Sequence, residues 1–269
     1  RYSARSFANN DPRASAAGLL DDPPDVMPSR RNMMDRAVAA GLEEDAVEGV
    51  WLDDGVAAIR SKLRDIGEAD NTCFVFTTDH PTAGKGTTHL GRIPLVINWP
   101  GRIQPGTICH DLLAETDLTP TLLDIAGCDI PPEMQTDGHS FKAALTAESQ
   151  HSQRKEVLLE VGHSRAIVTD NWKLIANRLP VEDSRNEQDL HHVSWQNVSP
   201  DAPSSVKWSA DRLFPAYFDA DHLYDLENDP MEQNNLVGDP EHAEVTSELR
   251  DALSQALQKL PHSFGELTE

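Results

Sequence analysis

Three residues that could act together on a charged ligand lie close together in the first third of the chain. Asp79 and His80 directly follow an apolar run, residues 72–76, and Lys85 stands six residues after Asp79, between two glycines. A carboxylate suits a hard cation such as Ca²⁺ or Mg²⁺, and a neutral imidazole can add a ligand. The Lys85 ammonium could reach an anion held by that metal. The segment is therefore a candidate binding site. The alternative is a solvated turn, in which residues of these types are also common.

The elements around this segment are typical of an α/β sheet. Residues 72–76 and 94–99 form continuous apolar runs, which suit strands buried on both faces of a parallel sheet. Short and long helices are predicted at residues 32–40 and 45–66, and another begins near Asp117, a favourable N-cap residue. The longer helix carries an apolar stripe at spacings of 4, 3, 4 and 3, formed by Leu52, Val56, Ile59, Leu63 and Ile66. Ligand sites of open α/β sheets form at the carboxyl ends of strands, where Asp79 is predicted to lie.

The pattern changes after about Pro131. Short β-rich runs at residues 157–159, 165–168, 172–175 and 222–226 predict an antiparallel subdomain, and a final helix begins at Asp239-Pro240. We therefore predict three regions: a loop-rich N-terminal segment at residues 1–30, part of an α/β domain at 31–150, and an antiparallel subdomain with a terminal helix at 151–269.

Composition excludes some partners. Lys and Arg total 23 against 45 Asp and Glu, for a net charge of −22, so the chain should repel nucleic acid and anionic membrane surfaces. No stretch approaches the ~18 apolar residues that span a bilayer. Cys73, Cys109 and Cys128 match neither a zinc site nor a disulfide framework. Because a net charge of −22 disfavours an approaching anion, any anion site must be local, built from a metal ion or a few cationic groups.

Several short segments, in a fixed order over most of the chain, resemble the sulfatase family within the alkaline-phosphatase-like superfamily. They are residues 52–56, 77–80, 84–88, 93–101, 116–123, 137–140 and 223–230, the last extended by Glu232. The resemblance implies part of an alkaline-phosphatase-like mixed sheet flanked by helices, with a small antiparallel C-terminal subdomain. It implies hydrolysis of a sulfate ester of a small molecule or carbohydrate, with Ca²⁺ (or Mg²⁺) as cofactor.

The resemblance also assigns roles to residues. Asp79 and His80 would be two metal ligands, although the family often has Asn at the position of His80. Lys85 would contact the substrate sulfate and offset charge as the S–O bond breaks. His89, His191 and His192 are candidate substrate contacts, with exposed loop histidines as the alternative for each.

The sequence departs from the family at the nucleophile. The family matures a Cys or Ser in a Cys/Ser-x-Pro-Ser-Arg motif to formylglycine, whereas the look-alike here is Val26-Met27-Pro28-Ser29-Arg30. Valine cannot form an aldehyde hydrate. The family's first metal-binding Asp pair is also expected upstream, and Asp53-Asp54 is better interpreted as the solvated face of a helix. We expect a missing N-terminal half to carry the nucleophile, and this chain alone to be inactive and poorly soluble.

Two alternatives remain open. One is a phosphate or phosphonate ester hydrolase of the same superfamily, and the other is a non-catalytic sulfatase-like binding protein. Family members are often periplasmic or extracellular, but the sequence gives no location.

Overall fold

The structure is a computed structural model, and it describes residues 11, 13–15, 18–22, 25–42, 44–80, 87–146, 154–161, 164–178, 213–217, 219–261 and 264–267. The chain forms two compact units. The first comprises residues 1–74 with 99–101, and the second comprises residues 75–98 with 102–269. The boundaries predicted near residues 30 and 150 stay predictions. None of the described helices is long and apolar enough to cross a membrane.

The first unit is mainly a helix pair. It contains strands β1 (Ala14–Ser15) and β2 (Gly18–Leu19), helices α1 (Arg30–Ala39) and α2 (Glu44–Asp65), and a 3₁₀ turn at Ala69–Asn71. The two predicted helices are confirmed to within two residues. Ser29 caps α1, because its hydroxyl oxygen accepts a hydrogen bond from the Asn32 backbone N–H at 3.2 Å. Buried residues Met33, Ala37 and Val47 form the core of the pair.

One expectation about α2 was wrong. Asp54 does not belong to a solvated face: it is buried and forms an ion pair with Arg36 of α1. Within the apolar stripe, Leu52, Ile59 and Ile66 are each 53–55% exposed, whereas Val56 and Leu63 are half-buried. Apolar periodicity correctly predicted the helix, but it did not reveal which face the neighbouring helix covers.

Strands β3 (Phe74–Thr77) and β4 (Leu95–Asn98) form a two-stranded sheet, which belongs to the second unit from Val75 onward. Neither strand is buried on both faces, contrary to prediction: β3 is half-buried throughout, and β4 alternates between half-buried and exposed residues. A 3₁₀ turn at Glu115–Asp117 leads into α3 (Leu118–Ala126), which ends as predicted at Gly127 with φ 70°. Helix α4 (Lys142–Leu145) follows.

The predicted antiparallel subdomain is confirmed as a four-stranded sheet. Its strands are ordered β5-β6-β7-β8, with bounds Val157–Val161, Ser164–Val168, Trp172–Asn177 and Asp221–Asp225. Ile167 lies opposite Leu174, which in turn lies opposite Leu223. The terminal helix α5 (Ala243–Leu257) packs Leu249 and Leu253 against this row, which forms the largest core cluster.

Candidate functional site

Asp79 and His80 lie where the sequence placed them, directly after β3. The Asp79 side chain is 80% exposed, the His80 side chain is 39% exposed, and Asp79 Oδ1 lies 3.6 Å from His80 Nε2. The Thr78 hydroxyl donates to the same carboxylate oxygen at 3.4 Å. A carboxylate oxygen and an imidazole nitrogen are thus close together at an accessible strand end.

This donor pair fits part of a divalent cation site. Carboxylate oxygen is the preferred ligand of Ca²⁺ and Mg²⁺, which take six or more ligands. Within the described ranges, no three His, Cys, Asp or Glu residues are grouped closely enough to hold a metal ion. Asp79 and His80 can therefore supply three donor atoms at most, two carboxylate oxygens and one imidazole nitrogen, and the remaining ligands would have to come from elsewhere.

Three of the predicted site residues, Lys85, His191 and His192, lie outside the described residues. Their assigned roles stay predictions.

His89, in contrast, is buried within the second unit. Only 2% of its surface is exposed, and its ring stacks on Phe214 with centroids 4.1 Å apart. The rings of Tyr217, His222 and Tyr224 surround it at 5.3–5.9 Å. That His89 contacts the substrate stays a prediction. Its burial favours a role in packing the interior of the second unit.

The hydrogen bonds of His89 belong to a chain of polar groups. His89 Nδ1 lies 3.0 Å from the Thr87 hydroxyl, and His89 Nε2 lies 3.4 Å from the Tyr224 hydroxyl. That hydroxyl is 3.2 Å from His222 Nδ1, while His222 Nε2 lies 2.9 Å from the Asp219 carbonyl. The carbonyl can only accept, so this contact is a hydrogen bond when His222 Nε2 carries the proton; the Asn177 Nδ2 amide, which can only donate, lies 3.2 Å from the same Nε2 and would favour the other tautomer. With the proton on His222 Nε2, the chain is satisfied if each hydroxyl donates to an Nδ1 atom and His89 Nε2 donates to Tyr224.

Burial keeps both histidines of this chain neutral. It lowers the pKa of His89 to about 2, and the positive charge of Lys173, with that of His222 when it is protonated, lowers this pKa further. Burial also lowers the pKa of His222, although Asp219 opposes this. The same burial raises the pKa of the Tyr224 hydroxyl. Because none of these groups is charged at neutral pH, the chain is a neutral hydrogen-bonded network.

A buried ion pair, absent from the predicted site, lies beside this network. Lys173 Nζ and Glu232 Oε1 are 2.8 Å apart, with side chains 1% and 3% exposed. Glu232 Oε1 also accepts a hydrogen bond from the Leu90 backbone N–H at 3.0 Å. Burial lowers the pKa of Lys173, whereas the adjacent Glu232 raises it. The sequence did hold a signal: a lysine inside the apolar strand 172–175 requires a buried partner.

Asp117 stands at the N-cap position of α3, as the sequence predicted, but its side chain organises a second polar cluster and does not cap the helix. Its side chain makes no capping bond to α3. Instead its carboxylate accepts from the backbone N–H groups of Ala114 and His139, both at 2.8 Å, and from Arg154 Nε at 2.9 Å. Burial raises the pKa of Asp117, but these hydrogen bonds outweigh burial, and the net shift is downward. The cluster joins two of the segments that carried the family resemblance.

Comparison with known proteins identifies the family. Residues 49–128 match a family model described as sulfatase, and residues 89–186 match the C-terminal model of N-sulphoglucosamine sulphohydrolase. A ulvan-active sulfatase from Formosa agariphila is 31% identical over 201 residues, which cover 70% of this chain and 38% of that protein.

Solved structures agree on the fold. A structure described as a sulfatase from Bacteroides fragilis has a TM-score of 0.61 at 21% identity, covering 97% of this chain and 50% of that one. The phosphonate monoester hydrolase of Agrobacterium radiobacter has a TM-score of 0.52 at 22% identity, covering 90% and 45%. The chain therefore belongs to the sulfatase family and contains a C-terminal part of its alkaline-phosphatase-like fold. It spans about two fifths of the length of the curated relative.

Proposed function

We propose that the protein to which this chain belongs is a sulfuric ester hydrolase. The observation that carries the proposal is the accessible pair Asp79 and His80 at the end of β3, with Oδ1 and Nε2 3.6 Å apart. The pair lies inside residues 49–128, the region matched by the sulfatase model. Its donor types and its exposure both suit metal binding.

In this proposal each residue of the segment has a separate task. Asp79 and His80 hold Ca²⁺ (or Mg²⁺), which when bound stabilises negative charge on the sulfate oxygens. Lys85 binds the same sulfate group through its ammonium. The net charge of −22 would disfavour an approaching anion, so these local cations must supply the attraction.

The proposed substrate is a sulfated small molecule or carbohydrate. The relative from Formosa agariphila is named for activity on ulvan, which supports a carbohydrate substrate class. The nucleophile is proposed to come from residues outside this chain, because valine stands at position 26 of the one look-alike motif.

Metal binding by the full-length product of the gene is the first test. Ca²⁺ affinity is measured by calorimetry for that protein, for its Asp79→Ala variant, and for its Asp70→Ala variant, which removes the same charge from an exposed 3₁₀ turn. Asp79→Ala should weaken the tightest binding event at least tenfold, whereas Asp70→Ala should leave it unchanged. Equal affinities in the two variants would remove Asp79 from the metal site.

Activity is tested with the full-length product of the gene and 4-nitrophenyl sulfate as substrate. Lys85→Ala should lower kcat/KM about 10²- to 10³-fold, the typical loss for one group that stabilises developing negative charge. This chain alone should show no turnover. Turnover of an aryl phosphonate but not of the sulfate would favour the phosphonate hydrolase alternative, which the structure from Agrobacterium radiobacter keeps open. Metal binding without turnover of either ester would favour a binding protein.

A further inference from the structure

Three large apolar side chains of α2 and of its C-terminal end are each more than half exposed. Leu52 and Ile59 lie on the helix, Ile66 directly follows its last residue, and their exposed fractions are 53–55%. Residues seven apart in an α-helix lie nearly above one another, so the three form one line about four turns long. The half-buried Val56 and Leu63 lie beside this line. Together these five residues form an apolar face of α2.

The contacts of α2 with α1 use a different side of the helix. Val47 is buried in the core that α2 shares with α1, and Asp54 forms an ion pair with Arg36 of α1. Successive residues of an α-helix are turned by about 100°, so Asp54 and Ile59 point about 140° apart. The contact with α1 therefore lies on one side of α2, and the apolar face lies on another.

The composition of α2 indicates that the apolar face belongs in an interior. Exposed apolar residues that stand singly are common on protein surfaces. An apolar stripe in register along a helix, in contrast, normally packs against a neighbouring element, while charged residues face water. Arg60, Lys62 and Arg64 are such exposed charged residues of the same helix. The apolar face thus has the residues of a buried surface, although its outer line is exposed in this chain.

The apolar face is too small to hold a second copy of the chain. The exposed parts of its three outer side chains amount to a few hundred Å² at most, on the order of the area of two or three whole apolar side chains. Each partner of a specific complex typically buries about 800 Å². A segment of the same polypeptide needs no such area, because its covalent attachment lowers the entropic cost of docking.

The relatives of this chain contain additional polypeptide of this kind. Residues 49–128 match the sulfatase model, so the part of α2 that carries the apolar face is an element shared with the family. The match covers 38% of the protein from Formosa agariphila. The structure from Bacteroides fragilis covers 97% of this chain with 50% of its own length. That structure therefore has about as many residues outside the matched part as inside it.

We propose that the apolar face of α2 is an internal interface of the full-length protein, covered by an apolar surface from the part of the sulfatase fold that lies outside this chain. The inference rests on family membership and on the exposure of Leu52, Ile59 and Ile66. It depends neither on the proposed metal site nor on a sulfate ester as substrate.

Thiol labelling of the full-length product of the gene tests the proposal. Ile59→Cys places a thiol on the apolar face, and Ala57→Cys places one at an exposed position about 160° away around the same helix. Both variants are labelled with iodoacetamide while folded. Mass spectrometry of the peptide that contains the substituted position counts each introduced thiol separately from the native cysteines.

The thiol at position 59 should react at least about tenfold more slowly than the thiol at position 57, because opening of a packed interface must precede its reaction. This protection should stay the same over an about hundredfold dilution, since an interface within one molecule does not depend on concentration. Ile66→Cys provides a second reporter on the same face if Ile59→Cys does not fold.

Thermal unfolding gives an independent measurement. Ile59→Asn should lower the melting temperature of the full-length protein by about 2–5 °C, because it places an amide in a packed apolar interface. Ala57→Asn is the matched control and should leave the melting temperature within about 1 °C.

Two results would overturn the inference. Equal labelling at positions 57 and 59, with equal melting temperatures of the two asparagine variants, would mean that the face is open to water. Protection at position 59 that is lost on dilution would assign the face to a second copy instead. None of these measurements requires turnover, so a protein that hydrolyses no sulfate ester would contradict the proposed function alone.

Discussion

The contact between Gly138 and the Glu115–Asp117 turn predicts a large effect from adding one methyl group. A Cβ atom at Gly138 would overlap the Thr116 carbonyl oxygen and would lie 2.6 Å from its carbonyl carbon and 3.1 Å from Asp117 Cα. All three are backbone atoms, so they cannot move aside by rotating a side chain. Gly138→Ala must therefore push the two segments apart.

The energetic cost follows from the bonds that this separation breaks. The His139 N–H donates to Asp117 Oδ1 at 2.8 Å, directly beside the substituted position. A hydrogen bond to a charged group contributes about 1.5–3 kcal/mol, and the overlap itself adds to that loss. The alanine also makes the unfolded chain less flexible, which recovers up to about 1 kcal/mol. We expect Gly138→Ala to lower the free energy of unfolding by about 2–4 kcal/mol.

Two matched Gly→Ala variants serve as controls in denaturant unfolding followed by circular dichroism. A Cβ at Gly49, within α2, has no atom within 4 Å, so Gly49→Ala should be neutral or stabilising by up to about 1 kcal/mol. A Cβ at Gly91 meets only the Leu159 side chain, which can move, so its loss should be smaller than that of Gly138→Ala. If Gly138→Ala proves as stable as Gly91→Ala, the two segments do not approach as described.

Two further predictions concern the second unit. The pKa of His89 falls to about 2 on folding, so below about pH 6.5 the unfolded state gains a proton that the native state does not. Stability should then fall with decreasing pH by up to about 1.4 kcal/mol per unit from this residue. In urea unfolding between pH 7 and 5, His89→Gln should flatten this dependence, whereas the exposed His110→Gln should not, and equal slopes would contradict the burial of His89. Leu253→Ala, at a fully buried position of α5, should cost about 2–5 kcal/mol, and the half-buried Leu257→Ala clearly less; thermal unfolding of both would test whether α5 packs as described.

The secondary structure was largely predictable because its signals are local. Short β-rich runs and turn residues predicted the four antiparallel strands, and periodicity predicted α2. The position of Asp79 after β3 was also predictable, since a strand end is fixed by the residues next to it. Which faces are covered was not predictable, as the exposed Leu52 and the buried Asp54 show. Whether a side chain is buried depends on which other segments pack against it, and local sequence patterns do not specify those segments.

The buried networks depend on contacts between residues that are distant in sequence. Leu90 and Glu232 are 142 positions apart, and His89 and Tyr224 are 135 apart. No spacing rule relates such positions, so His89 was predicted as a pocket or surface residue. Asp117 shows the same limit, because the local rule that made it a helix cap took no account of Arg154.

These networks also change what the family-like segments mean. Segments 116–123 and 137–140 are joined by the hydrogen bond from the His139 N–H to Asp117. The Leu90 N–H, soon after segment 84–88, donates to Glu232, the residue that extends segment 223–230. Contacts between these segments therefore account for some of the residue types found in them. Asp79 and His80 differ, since their side chains are exposed and close together and burial does not account for their types. For that reason they are the residues on which the chemistry should be tested first.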